Sequence, residues 1–109
     1  MNWLFSYGTL QLREVQLANF GRELEGEADA LEGYVLSTVM IGDPAVVEVS
    51  GLAEHLILVP GDGPPIEGVA YALTDAELLA ADEYETSAYR RVEVTLRSER
   101  RAFAYVAAD

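Results

Sequence analysis

The sequence predicts a mixed α/β or α+β domain in which two helices stand among six or so strands. Three observations carry this. Short apolar and aromatic runs recur at Trp3–Tyr7, His55–Val59, Ile66–Leu73 and Ala102–Val106. Val92, Val94 and Leu96 alternate with Arg91, Glu93 and Thr95, the period of a strand with one buried face. Thr74, with Glu77 three residues on, opens the segment Thr74–Tyr84 as a capping box opens a helix.

Along the chain, Trp3–Tyr7 stops at Gly8 and reads as a buried first strand. Leu12–Phe20 carries apolar residues at Leu12, Val15, Leu17 and Phe20 with Gly21 behind them, a short helix with a glycine stop, although Leu17 fits the stripe poorly. Glu23–Ile41 is mostly strand-like and is divided by Gly33. The "GDP" at 42–44 is a turn, and Ala45–Val49 is expected to form a short strand. The "PGDGPP" at 60–65 is the strongest loop signal and is too short to link two domains, so residues 1–109 are expected to form one domain. Asp75 sits in the first turn of the capped helix, where the helix dipole favours a negative charge. The polar "RSERR" at 97–101 joins the last two strands into a hairpin.

Composition narrows the function. Half of the 109 residues are hydrophobic, enough for one core, and the net charge is −12 from 19 acids against 7 bases, all arginine. Such a surface repels phosphate backbones and anionic lipid headgroups, so neither nucleic acid nor membrane is an expected partner. An anionic substrate needs local donors, either backbone N–H groups or a placed arginine. The absence of cysteine removes thiolate catalysis and disulfides, and the single histidine, His55, cannot build a multi-histidine metal site. No serine lies in a G-x-S-x-G elbow. The apolar start is too short for a secretory leader and lacks basic residues before it, so the expected compartment is the cytoplasm.

Two stretches could carry chemistry. In "LLAADEYETSAYRR" at 78–91, Asp82, Glu83 and Glu85 crowd a helix C-terminus, the wrong end for acids. Glu85 follows Leu78 by seven residues and shares its face with Ala81 and Asp82, whereas Glu83 points elsewhere. One reading is a solvated acidic helix end. The other is a desolvated glutamate with a raised pKa, suited to general acid–base work. In "SYGTLQ" at 6–11, a strand ends in glycine ahead of a helix, which offers free N–H groups to a carboxylate or phosphate, or is a structural turn. The further glycines and the lysine of a phosphate-binding loop are missing. Tyr89 and Arg91 share one strand face, either solvated or part of a site.

"YGTL" at 7–10, "LEGYVL" at 31–36, "IEGVAYAL" at 66–73, "DEYE" at 82–85, "YRR" at 89–91 and "AFAYV" at 102–106 occur in this order. The set resembles the gamma-glutamylcyclotransferase-like family over nearly the whole length. The resemblance implies a small barrel-like mixed sheet with flanking helices. It also implies an enzyme that cyclises a gamma-glutamyl amine or amino acid to 5-oxoproline without cofactor or metal. By that resemblance Glu85 is the catalytic acid/base, and Tyr7, Gly8, Thr9, Leu10 and Tyr89 bind the substrate, with Gln11, Asp82 and Arg91 in support. The nucleophile would be the substrate's own α-amine, in keeping with a chain that lacks cysteine. The sequence departs from the family pattern at Gln11, where many relatives carry arginine, and at Thr86, where glycine is common. The competing expectation is a binding or regulatory module that keeps the pocket without turnover.

Overall fold

Leu4 and Phe5 are neighbours in sequence, yet they enter different cores. Successive side chains of a strand point to opposite faces, so a strand apolar at both positions must be covered on both sides. The computed structural model describes residues 2–40, 54–85 and 88–108, with the backbone alone at 39, 40, 54 and 55. Its elements are β1 (Asn2–Ser6), a 3₁₀ turn (Thr9–Gln11), α1 (Arg13–Phe20), β2 (Gly26–Leu31), β3 (Tyr34–Met40), β4 (Glu54–Pro60), β5 (Ile66–Leu73), α2 (Asp75–Tyr84), β6 (Tyr89–Thr95) and β7 (Arg101–Ala107).

Five strands form one sheet in the order β2-β5-β1-β7-β6, and β3 pairs with β4 in a separate two-stranded sheet. Within the large sheet only β1 and β7 run parallel; the other pairs are antiparallel. The expected mixed α+β architecture is present, with seven strands among the described residues rather than six or so and with two sheets in place of one. The expected turn at 42–44 and strand at 45–49 lie outside the described residues.

One face of the large sheet meets the helices. Leu4, Tyr71, Leu73 and Tyr105 pack there with Val15 of α1 and with Leu78, Ala81 and Tyr84 of α2. On the opposite face Phe5, Ala70, Ala102, Ala104 and Val106 pack with Leu58 of β4. The central strands β1 and β7 are therefore buried on both sides, and each large apolar side chain removed from water there is worth roughly 2 kcal/mol.

Helix α1 turns differently from the expected stripe. Val15 is fully buried and Phe20 packs against the core, but Leu12 and Leu17 are exposed and Gln16 goes inward in their place. Gln16 is satisfied where it lies: its Nε2 donates to the Leu10 carbonyl (2.8 Å) and its Oε1 accepts from the Leu24 amide (2.8 Å). The glycine stop is as expected, for Gly21 closes α1 at φ 71° and its amide bonds the Leu17 carbonyl. Gly68 of β5 is fixed by a close approach, since a Cβ there would lie 2.3 Å from the Ser6 carbonyl and 2.8 Å from the Phe5 ring. That contact holds the end of β1 where the chain leaves the sheet.

Candidate active site

The parallel strands β1 and β7 end on the same edge of the sheet, and a pocket opens there. The space between its walls, open solvent at the mouth included, is about 350 Å3. Its wall is Phe5, Ser6, Tyr7, Gly8, Thr9 and Leu10 from β1 and the following loop, Leu56 of β4, Glu85, Tyr89 of β6 and Tyr105 of β7.

The loop after β1 is short and well tied. In its 3₁₀ turn the Gln11 amide bonds the Gly8 carbonyl (3.1 Å) and the Leu12 amide bonds the Thr9 carbonyl (2.9 Å). Among the described residues the amides of Gly8, Thr9 and Leu10 take no bond to a backbone carbonyl outside regular secondary structure, as expected at the start of such a turn. A Cβ on Gly8 would meet nothing within 4 Å, so the space in front of that backbone is open. The Thr9 hydroxyl and the Tyr84 hydroxyl are hydrogen-bonded (2.8 Å), which pins the loop to the end of α2.

Helix α2 begins with the expected capping box, in which the Glu77 amide donates to Thr74 Oγ1 (3.1 Å) and the Thr74 amide to Glu77 Oε1 (2.9 Å). It ends at Glu85, the C-cap, with extended φ and ψ of −72° and 138°. Leu78, Ala81 and Tyr84 are buried, Glu83 is exposed, and Glu85 is partly buried against the pocket. Burial, helped by the charge of Asp82, pushes the Glu85 carboxyl up to about 8. The desolvated glutamate is thus the one of the two sequence alternatives that the geometry favours.

Phenols surround it. The Tyr7 hydroxyl donates to the Tyr105 carbonyl (2.6 Å), and the Tyr89 hydroxyl donates to the Leu56 carbonyl (2.8 Å). Burial pushes Tyr7, Tyr89 and Tyr105 up, and the charge of Glu85 pushes each further, so all three are neutral hydrogen-bonding groups. Behind them the Tyr105 hydroxyl donates to Asp82 Oδ1 (2.7 Å). Arg91 Nε lies 2.9 Å from the same oxygen, an ion pair in which the N–H is not aimed at its partner, and the guanidinium stacks over Phe103 (4.7 Å).

The pocket therefore brings together Tyr7, Gly8, Thr9, Leu10, Glu85 and Tyr89 from the sequence-predicted set, and not the other three. Gln11 points its amide back to the Ser6 carbonyl (2.7 Å) and braces the loop. Asp82 and Arg91 stand behind Tyr105. None of the seven arginines is in the wall. Phe5, Ser6, Leu56 and Tyr105 line it without having been singled out. Alternation in "AFAYV" already sets Phe103 and Tyr105 apart from the three small residues beside them; Leu56 left no sequence signal. His55 lies in β4 opposite Val39, and its side chain is outside the described residues. Among the described residues no group of three or more metal-ligating side chains is present, and no helix is long and apolar enough to cross a membrane.

Comparison with known proteins adds three facts. The family model described as gamma-glutamyl cyclotransferase, AIG2-like, matches residues 4–109. No curated protein matches the chain. Among solved structures, a protein of Arabidopsis thaliana determined in solution superposes with a TM-score of 0.73 at 22% identity, over 97% of this chain and 61% of that one. A second Arabidopsis thaliana protein, also determined in solution, gives 0.72 at 22% identity, over 99% of this chain and 69% of that one. An uncharacterized crystal structure from Pyrococcus horikoshii gives 0.69 at 20% identity, over 100% of this chain and 80% of that one. At these identities the likeness is one of fold, and this chain spans about three fifths of the length of the first.

Proposed function

Because the chain belongs to the gamma-glutamyl cyclotransferase, AIG2-like family, we propose that it cyclises a gamma-glutamyl amine or amino acid to 5-oxoproline and releases the amine. The observation that carries this reading is Glu85, a carboxyl raised to about 8 on the wall of a pocket shared with the loop Tyr7–Leu10.

The chemistry asks for such a group. A substrate α-amine is protonated at neutral pH and must lose a proton before it can attack the γ-carbonyl. In the empty site Glu85 is itself largely protonated at pH 7. An arriving ammonium is an opposite charge and draws the carboxyl toward its ionised form. An α-amino group titrates near 8, and a carboxyl brought down from about 8 by that ammonium lies nearer the operating pH, where general acid–base transfer is most efficient.

In the reaction the α-nitrogen forms a bond to the γ-carbon, and the bond from that carbon to the leaving nitrogen breaks. Two protons leave the α-nitrogen and two reach the leaving nitrogen, so Glu85 can carry them one at a time with none left over. The amides of Gly8, Thr9 and Leu10 offer donors for the substrate carboxylate or for the oxyanion that forms on the carbonyl. A loop that holds the chain bent supplies the proximity that ring closure needs.

The test is release of 5-oxoproline from a panel of gamma-glutamyl compounds by the wild-type protein and by Glu85→Gln. Turnover in the wild type and a loss of about 100- to 10,000-fold in the variant is the expected result. Saturable binding with no turnover on any compound would instead make the chain a binding module. Loss in Glu83→Gln but not in Glu85→Gln would move the acid two residues back along the chain.

A further inference from the structure

Tyr105 stands where four parts of the fold meet, and it is 5% exposed. Its hydroxyl is given to Asp82 of α2 and its carbonyl to the Tyr7 phenol of the loop after β1. Arg91 of β6 holds the same Asp82 oxygen from the other side and rests on Phe103, two residues along β7. The ring of Tyr105 meanwhile belongs to the pocket wall with Glu85.

We propose that Tyr105 is a positioning residue of this site, fixing the Asp82 carboxylate beside Glu85 through its hydroxyl and the Tyr7 phenol through its carbonyl. The inference rests on the reading of Glu85 as the acid/base.

Packing alone does not ask for the hydroxyl, since a phenylalanine would fill the same core. Asp82 does ask for it. A carboxylate in the last turn of a helix meets the negative end of the dipole, and this one also lies three residues from Glu85 across that turn. Two groups compensate it, the Tyr105 hydroxyl by a hydrogen bond and the Arg91 guanidinium by its charge. Asp82 of α2 acts on Glu85 through its charge, and Glu85 in turn acts on Tyr7 of the loop, Tyr89 of β6 and Tyr105 of β7, with Arg91 paired to Asp82. Asp82 is the acidic group whose charge pushes Glu85 up, and Arg91 is its ion-pair partner. The hold on Asp82 therefore decides how much negative charge Glu85 feels.

The experiment follows the Glu85 carboxyl carbon by NMR as pH is varied, without substrate, its signal assigned by its loss in Glu85→Gln. Tyr105→Phe leaves Asp82 less compensated and is expected to raise the Glu85 midpoint by roughly half a pH unit or more. Asp82→Asn is expected to lower it. In the Asp82→Asn background, Tyr105→Phe is expected to add nothing. Arg91→Met, which removes the paired charge, is expected to shift the midpoint upward as Tyr105→Phe does. A midpoint unmoved in Tyr105→Phe, or moved equally in both backgrounds, would overturn the proposal. Since the titration needs no turnover, the shifts in a protein that releases no 5-oxoproline would leave the positioning role standing while the reaction falls.

Discussion

The Tyr7 phenol donates to the Tyr105 carbonyl over 2.6 Å and so joins residues 98 apart in sequence. The bond ties the loop after β1 to the last strand at the one edge where two parallel strands end together. Tyr7→Phe keeps the ring and strands the carbonyl, a loss of about 1 kcal/mol for a partly buried bond. For a domain of this size that is a fall in Tm of about 4 °C. Thermal unfolding measures it, and an unchanged Tm would show that the bond does not hold the loop.

Glu85 predicts a trade of stability for function. Its folded pKa of about 8 is raised above the ordinary value of 4.5, so the folded state binds more protons between those values. Stability from this group is then fully present below pH 4.5 and is lost as pH rises through 8. Glu85→Gln carries no charge at any pH. Its Tm is expected to match the wild type at pH 5 and to exceed it by several degrees at pH 9, while cyclisation is lost. A Tm difference that is flat across this range would mean that Glu85 is solvated.

The opposite sign is expected at the other end of α2. Arg22 Nε and Nη2 donate to Glu77 Oε2 and Oε1 at 2.7 and 2.8 Å, and the same Glu77 closes the capping box. The Arg22 bond, with the Thr74 bonds, holds the Glu77 carboxyl down to about 2. This stability is present above pH 4.5 and lost as pH falls toward 2. Glu77→Ala is expected to lower Tm by about 4 °C or more at pH 7, through the lost cap and ion pair. The gap should close near pH 2, and a gap that persists there would assign the effect to packing.

Most of this fold was legible because its signals are local. The Thr74–Glu77 box, the glycine stop at Gly21 and the alternation after Tyr89 each fix an element within a few residues. The direction of α1 was not, because a buried glutamine is invisible to a hydrophobic stripe: Gln16 goes inward only because Leu10 and Leu24 satisfy it. The spacing of Glu85 from Leu78 foretold its face, but its environment comes from Tyr7, Tyr89 and Tyr105, which no local pattern assembles. Gln11 shows the same limit in reverse. Its missing charge suggested an altered pocket, yet its amide turns away to the Ser6 carbonyl. The side chain at position 11 does not line the wall.

The charges of the wall bear on the leaving group. Arg22, Arg91, Arg100 and Arg101 are paired with Glu77, Asp82, Glu27 and Glu93, and Arg13 with Glu23. None of these, nor Arg90 or Arg97, lines the pocket, where Glu85 is the one ionisable carboxyl among the described residues. In the proposed reaction a gamma-glutamyl amine brings one carboxylate, for which the amides of the loop are the proposed donors. A gamma-glutamyl amino acid brings a second, into a site where none of the described wall residues is a cation, on a chain of net charge −12. Like charges brought together at a binding surface cost several kcal/mol. The amine is therefore expected to exceed the amino acid in kcat/KM by about tenfold or more. The control is the carboxamide of the same amino acid, which keeps its bulk and removes its charge. Turnover of the carboxamide close to that of the amine would assign the selectivity to charge. Turnover as slow as that of the free acid would assign it to the size of the cleft around Leu56, and equal rates for all three would end the argument from charge.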